Sequence, residues 1–489
     1  MTNKNFRVAI IGAGLAGTTL LKRLVRSFPG NLGVSYQIHV FENSIEPGPG
    51  LAYLNEANTL QLNRTTNRMY AYHEGDFYHW ICQTYGENIC HKELSGKYLP
   101  RRYFGDYLRK VFIDSIAESS IRNSSVELHR ARVTDIVSQV DFFHIKLDNN
   151  KIFECDYVFI ATGNDLQIDR YNLNGNSNFY CSPFPLNQYG SLLQSDSHDV
   201  AIIGSRLCAI DVANYLLQSN PKLRISMLSR SGKLPRASIP ISEKHKLTEF
   251  TIDAVEQLAV INGRVELRDI KQLLQKELDA HCPGITVEQL FQRTESFEEY
   301  NNVNGNLHNV LSATNYIASI AWKYLCDKSR IIFVKRYSTK WLHLRIGIPV
   351  EVRNKILDAQ TGKSMKVLNG LKNIVENDRG FKAIFNDGSE HRYDTVINAT
   401  GIKRKIDNIS PLLTQMLVLK NLCQINPFGG VAVNADNCSA IIDNKSNKRL
   451  KIIGQLTCGD FYAVNNVDII NWQVKLAVDD VCKQISICS

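Results

Sequence analysis

Three glycines stand at 12, 14 and 17, as Gly12-Ala13-Gly14-Leu15-Ala16-Gly17. This spacing suits a backbone that grips a pyrophosphate: Gly12 makes a tight turn, Gly14 lets the backbone approach the phosphates, and Gly17 lets a helix pack closely on a strand. Leu15 and Ala16 fall at the start of that helix, where free N–H groups and the positive dipole end face the ligand. Further on, Glu42 is placed to accept hydrogen bonds from adenosine ribose hydroxyls. An ordinary solvated strand end is the alternative for that acid.

The elements that must position these groups are present in order. Residues 6–11 (FRVAII) are a short apolar strand, a helix follows to about residue 28, and residues 36–41 (YQIHVF) form a second strand ending in Glu42. Strand, fingerprint, helix, strand and terminal acid make a Rossmann βαβ unit, and the reading is that it binds FAD.

Far downstream, residues 450–454 (LKIIG) read as a strand leading to Gly459-Asp460 and a long amphipathic helix from about residue 466. In flavoproteins of this build such an Asp holds the ribitol chain, and the helix dipole stabilises negative charge on reduced flavin. Asp460 is therefore expected at the cofactor, with a simple helix-start acid as the alternative. A buried strand ending in Ala161-Thr162-Gly163 lies between, and Thr162 and Gly163 suit close passage of backbone past the cofactor. The same turn returns as Ala399-Thr400-Gly401.

A second βαβ unit pairs with that second turn. Residues 199–204 (DVAIIG) open into Ser205, Arg206 and a helix, and a strand at 224–229 ends beside Arg230. Gly204 keeps the first glycine position, while Arg206 and Ala209 occupy the second and third. Two readings stand: Arg206 reaches the phosphates of NAD(P)H, or this unit is a degenerate structural copy. Arg230, followed by Lys233 and Arg236, suits the 2′-phosphate of NADPH better than a bare NADH ribose.

Composition excludes several classes. The 489 residues are too many for one compact core, 44% are hydrophobic and 21% charged, and there is no low-complexity tract or repeat. A net charge of +9 is scattered rather than gathered in a stripe, which argues for anionic ligands and against nucleic acid. Twelve cysteines show no CxxC, so neither structural zinc nor a dithiol centre is expected. His73-Glu74 has no second histidine at ligand spacing, and no metal site is expected. The opening residues run straight into a strand, and the longest apolar stretch, 199–217, is broken by Arg206 and Asp211. No membrane span and a cytoplasmic location are expected.

These motifs in this order resemble the two-dinucleotide-binding flavoproteins, and in particular the FAD/NAD(P)-binding branch that includes aspartate N-hydroxylase-like monooxygenases. The landmarks are Gly48-Pro49-Gly50-Leu51-Ala52-Tyr53, Leu62-Asn63 with Met69, Phe77 with Trp80, Leu99-Pro100-Arg101 before Phe104-Gly105-Asp106-Tyr107-Leu108, and Gly454 to Gly459. The resemblance covers about 6–236 and 393–478. It implies that Asn63 and its loop lie by the flavin and Arg101 along the FAD; read from the residue alone, an Arg before a helix is equally a solvated surface group. Val133 is counted among the cofactor-binding positions. The implied fold is α/β: two Rossmann-like three-layer domains, a glutathione-reductase-like FAD domain and an inserted NAD(P)-type domain, with a helical insertion. The expected boundaries are 1–165 and 402–489 for the FAD domain and 166–401 for the other, with the insertion at about 240–330.

The expected reaction follows. NADPH reduces FAD, O2 adds to give a flavin hydroperoxide, and the distal oxygen passes to an amine or other nucleophile on a small-molecule substrate. Arg64, Arg68 and Arg345 are candidates to hold a substrate carboxylate, each with a surface or phosphate-side role as the alternative. No catalytic residue is assigned, and a homo-oligomer is left open. The rivals are a flavin oxidoreductase without oxygen insertion and a noncatalytic FAD-binding protein whose second unit is scaffold.

Overall fold

The computed structural model describes all residues except 1–3, 29–33, 87–93, 95, 164–168, 239–244, 293–305, 402, 403, 407–411 and 489. The first strand, Lys4–Ile11, has both faces buried from Val8 onward, as a central parallel strand covered by helices on both sides must. Helix Leu15–Ser27 then buries Leu20, Leu21, Leu24 and Val25 as one apolar stripe, and Val34–Phe41 returns parallel to the first strand with Val8 opposite Ile38.

Six strands make the first sheet, in the order Ser439–Ile442, Lys445–Ile452, Tyr157–Ile160, Lys4–Ile11, Val34–Phe41, Ser124–His129. The C-terminal part of the chain therefore completes the sheet begun by the N-terminus, Leu450 pairing with Val158. Helix Val467–Cys488 buries Val474, Ala477, Val478, Val481 and Ile485 at three- and four-residue spacing and packs on the fingerprint helix.

A second sheet repeats the plan with five parallel strands, in the order Met365–Leu368, Leu223–Leu228, His198–Ile203, Thr395–Asn398, Phe179–Tyr180. Between two of its strands run helices Ile252–Asn262, Leu267–His281, Val287–Gln292, Asn306–Tyr324, Asp327–Arg336 and Ser338–Arg345. They enclose a core of their own around Phe250, Val255, Leu278, Leu311, Trp322 and Trp341. The helices continue to Arg345, beyond the 330 expected from sequence, because the last two, DKSRIIFVKR and STKWLHLR, carry no clean apolar stripe to announce them. Among the described residues no helix is long and apolar enough to cross a membrane.

Candidate active site at the junction of the two units

The first fingerprint turn is sterically obligatory. Gly12 has φ +96°, and a Cβ there would stand 2.5 Å from the Ala161 carbonyl oxygen. A Cβ on Gly17 would stand 1.8 Å from the carbonyl oxygen of Gly12, so helix and strand touch through glycine. Gly14 is less crowded, its nearest neighbour being the Gly50 Cα at 3.4 Å. The helix that follows has no side-chain cap and no acid in its first turn, so Leu15, Ala16 and Gly17 present an uncompensated N-terminus. That is the environment a pyrophosphate fits.

Glu42 braces this turn: its carboxylate oxygens accept from the backbone N–H of Ala13 (2.6 Å) and of Ser44 (2.8 Å). Each oxygen keeps a lone pair for a ribose hydroxyl. Thr162 and Gly163 are exposed directly beyond Ala161. The Val133 side chain is buried in the core, so its contact with a cofactor would come from the backbone.

The second turn is built identically where it matters. Gly204 has φ +122°, and its missing Cβ would meet the Ala399 carbonyl oxygen at 2.6 Å, as Gly12 does with Ala161. Arg206 takes the cap position of helix Leu207–Ser219 in extended conformation, again with no side-chain cap and no acid in the first turn. Burial lowers the pKa of Arg206, and no ion pair joins it to a carboxylate among the described residues. The Ser205 hydroxyl donates to the carbonyl of Lys233 (2.8 Å) and is buried, which makes it a brace for the turn. Arg230 and Lys233 are exposed at the strand end. Arg236 is not beside them: it is buried in strand Arg236–Ser238, and its Nη2 donates to the Arg345 carbonyl at 3.4 Å.

Two expected cofactor residues also have partners within the chain. Arg101 donates from Nη2 to Asp211 at 2.6 Å and from Nε to the Gln61 carbonyl at 3.1 Å, so it ties the first unit to the fingerprint helix of the second. The Asp460 carboxylate, in the short helix Cys458–Phe461, accepts from the Val433 backbone N–H at 2.9 Å. Neither lines the central cavity.

That cavity, of about 480 Å³, opens between the two units and reaches the second turn at Arg206 and Thr400. Asn63, Met69 and Tyr53 line it from the first unit, Arg206, Leu207 and Cys208 from the second, and Leu342, His343 and Arg345 from the insertion. Residues 462–467, just after Gly459-Asp460, close it at the start of the C-terminal helix. Among the described residues five arginines line it, Arg64, Arg68, Arg206, Arg345 and Arg404, and no Asp or Glu does. Arg64 is neutralised behind the wall by Asp468 (3.0 Å). Arg404 is held by the carbonyl of Cys458 (2.7 Å). Tyr462, at φ +57°, holds its ring 4.9 Å from that of Trp322 and tilted by 31°, and its buried hydroxyl has no hydrogen-bond partner among the described residues. Burial, with Arg206 and Lys233 nearby, lowers the His343 pKa to about 4. The lining thiol, Cys208, is pushed up to about 11 by burial.

Sequence reasoning missed Tyr462, Arg404 and His343. Tyr462 had a signal, lying between the Gly-Asp and the final helix; the other two have none, because they reach the cavity only through long-range folding. It also missed a cluster in the insertion, where the buried Glu277 faces His245 (3.2 Å) and His281 (3.3 Å). Glu277 accepts there from the backbone N–H groups of Thr248, Glu249 and Phe250, so it anchors a loop.

Residues 9–165 match a family model described as FAD-NAD(P)-binding. No curated protein matches the chain in sequence. Among solved structures it is similar to L-lysine 6-monooxygenase from Pseudomonas syringae, at 13% identity and TM-score 0.59, with 98% of this chain and 99% of that one covered. An ornithine N-hydroxylase from Kutzneria sp. 744, solved with reduced FAD, NADP+ and L-ornithine, aligns at 12% identity and TM-score 0.58 over 99% and 100%. A bacillithiol disulfide reductase from Bacillus cereus aligns at 12% and 0.53 over 98% and 100%. The fold is that of the flavoproteins with two dinucleotide-binding domains.

Proposed function

We propose that this chain is an FAD-dependent, NADPH-using monooxygenase that transfers one oxygen atom of O2 to a small amine or amino-acid-like substrate, the other leaving as water. One observation supports the reading: two uncapped, acid-free helix N-termini each follow an obligatory glycine turn, and the second of them opens on a cavity lined by five arginines and, among the described residues, by no acid. Residues 1–165 with 402–489 would hold FAD, and residues 166–401 NADPH.

When bound, FAD supplies hydride acceptance and activation of O2. The chain's own residues do the rest. The amides of Leu15, Ala16 and Gly17 meet one pyrophosphate, and Arg206 with the second helix N-terminus meets the other. Exposed Arg230 is free for the 2′-phosphate. Leu342, Ile346, Val464 and Val467 line the cavity and keep water from it. A disulfide-reductase reading needs an activated thiolate pair; the one lining thiol, Cys208, is displaced in the opposite direction.

Anaerobic stopped-flow mixing with NADPH tests the proposal. The expected result is bleaching of the flavin band near roughly 450 nm, then, with O2, NADPH-dependent hydroxylation of an amine. Absence of bleaching overturns it. Bleaching without oxygenated product from any amine leaves a dehydrogenase or oxidase.

A further inference from the structure

Resting on that reading, four of the five arginines in the cavity wall have no carboxylate partner among the described residues, and two of these, Arg68 and Arg345, are buried. Arg345, the last residue of helix Ser338–Arg345, is only 7% exposed, and its Nε and Nη1 atoms make no hydrogen bond. Its neighbours are the Trp341 ring, 5.6 Å from the guanidinium carbon, and Tyr462, whose hydroxyl also lacks a partner. Arg68, equally buried, donates from Nη1 to the Ser312 hydroxyl at 3.3 Å and leaves Nε unbonded. Arg68 comes from the loop beside Asn63, and Arg345 from the helical insertion.

A buried guanidinium without a counter-ion is costly, and native proteins retain one where a ligand supplies the missing charge. The nucleotide phosphates already have the two helix N-termini, Arg206 and Arg230. We propose that Arg345, aided by Arg68, anchors an oxyanion on the substrate, so that the molecule oxidised is a small acid bearing a carboxylate or phosphate group in addition to its nucleophile. The planar fork of Arg345 suits two parallel bonds to such a group, and the unpartnered Tyr462 hydroxyl is a further donor to it. Selectivity would then come from the insertion, the part of the chain outside both dinucleotide folds.

Succinate and inorganic phosphate serve as probes on the FAD-loaded full chain, with succinamide and 1,4-diaminobutane as uncharged and cationic controls. Binding is read from the flavin visible difference spectrum and from Tm. Succinate, phosphate or both should shift Tm upward and perturb the flavin band, whichever acts naming the oxyanion; the controls should not. Arg345→Met should weaken that binding by about tenfold or more, the loss of one charge-assisted fork. The variant without ligand should melt no lower than wild type, since an uncompensated buried charge has gone. Arg345→Lys, which keeps the charge and loses the fork, should also weaken the probe while retaining FAD.

Unchanged probe affinity in both variants overturns the proposal. So does a loss of NADPH affinity in proportion to the loss of probe affinity, which would assign Arg345 to a cofactor phosphate. Failure of NADPH to bleach wild-type flavin would remove the monooxygenase reading while leaving the anion measurements interpretable by themselves.

Discussion

Arg101 and Asp211 meet at 2.6 Å across the boundary between the two dinucleotide units, one at the start of a helix of the first and the other in the fingerprint helix of the second. Burial opposes the charge on Arg101, yet Asp211 beside it holds the guanidinium pKa above its ordinary value. The pair therefore ties a helix of the first unit to the fingerprint helix of the second.

Breaking the pair should be expensive. Arg101→Ala leaves a carboxylate buried without a partner and should cost about 3 kcal/mol, read by chemical denaturation of the FAD-loaded chain. The double variant Arg101→Met, Asp211→Leu should recover most of the loss. If the single variant is neutral, the pair does not hold the units together.

Two of the fingerprint glycines, Gly17 and Gly14, should separate by experiment. Gly17→Ala sets a Cβ 1.8 Å from a backbone oxygen and should prevent soluble expression. Gly14→Ala meets only ordinary contact with the chain, at 3.4 Å, so it should fold and yet bind FAD weakly. A fully yellow Gly14→Ala protein would place the pyrophosphate elsewhere.

At the second site, Arg230→Glu should raise KM for NADPH by about tenfold or more and change NADH far less, since only NADPH carries the extra phosphate. Because Arg230 is exposed, the variant should melt near wild type. Equal effects on both nucleotides would remove the 2′-phosphate assignment.

His343 makes stability depend on pH in a defined window. Its folded pKa of about 4 lies below the ordinary 6.5, so the unfolded chain takes up a proton first as pH falls. The neutral ring's contribution is complete above pH 6.5 and is lost progressively toward pH 4. For this partly exposed ring the loss should be about 1–2 kcal/mol after solvent screening. His343→Gln should flatten the Tm profile between pH 6.5 and 4.5; an unchanged profile assigns the acid sensitivity to other groups.

Both dinucleotide turns were legible in the chain because their requirements are local. Gly12 and Gly204 sit where a carbonyl oxygen leaves no room for a Cβ, and a run of apolar residues before each marks a buried parallel strand. The expectations for Glu42, Thr162 and Gly163 rest on the same short-range logic. The partners of Arg101 and Asp460 were not legible, because a charged side chain near a loop has several groups within reach, and only the folded chain selects Asp211 and the Val433 N–H. The insertion was legible as helices and not as a site.

Sequence alone determined that two βαβ units exist, the first with an intact fingerprint that suits FAD and the second with an imperfect one, since glycine spacing and strand periodicity constrain each residue's near neighbours. Only the tertiary structure decided which charges remain without partners. Five arginines converge on one acid-free cavity from segments as far apart as Arg64 and Arg404, and whether each meets a carboxylate, a carbonyl or nothing is a property of long-range packing.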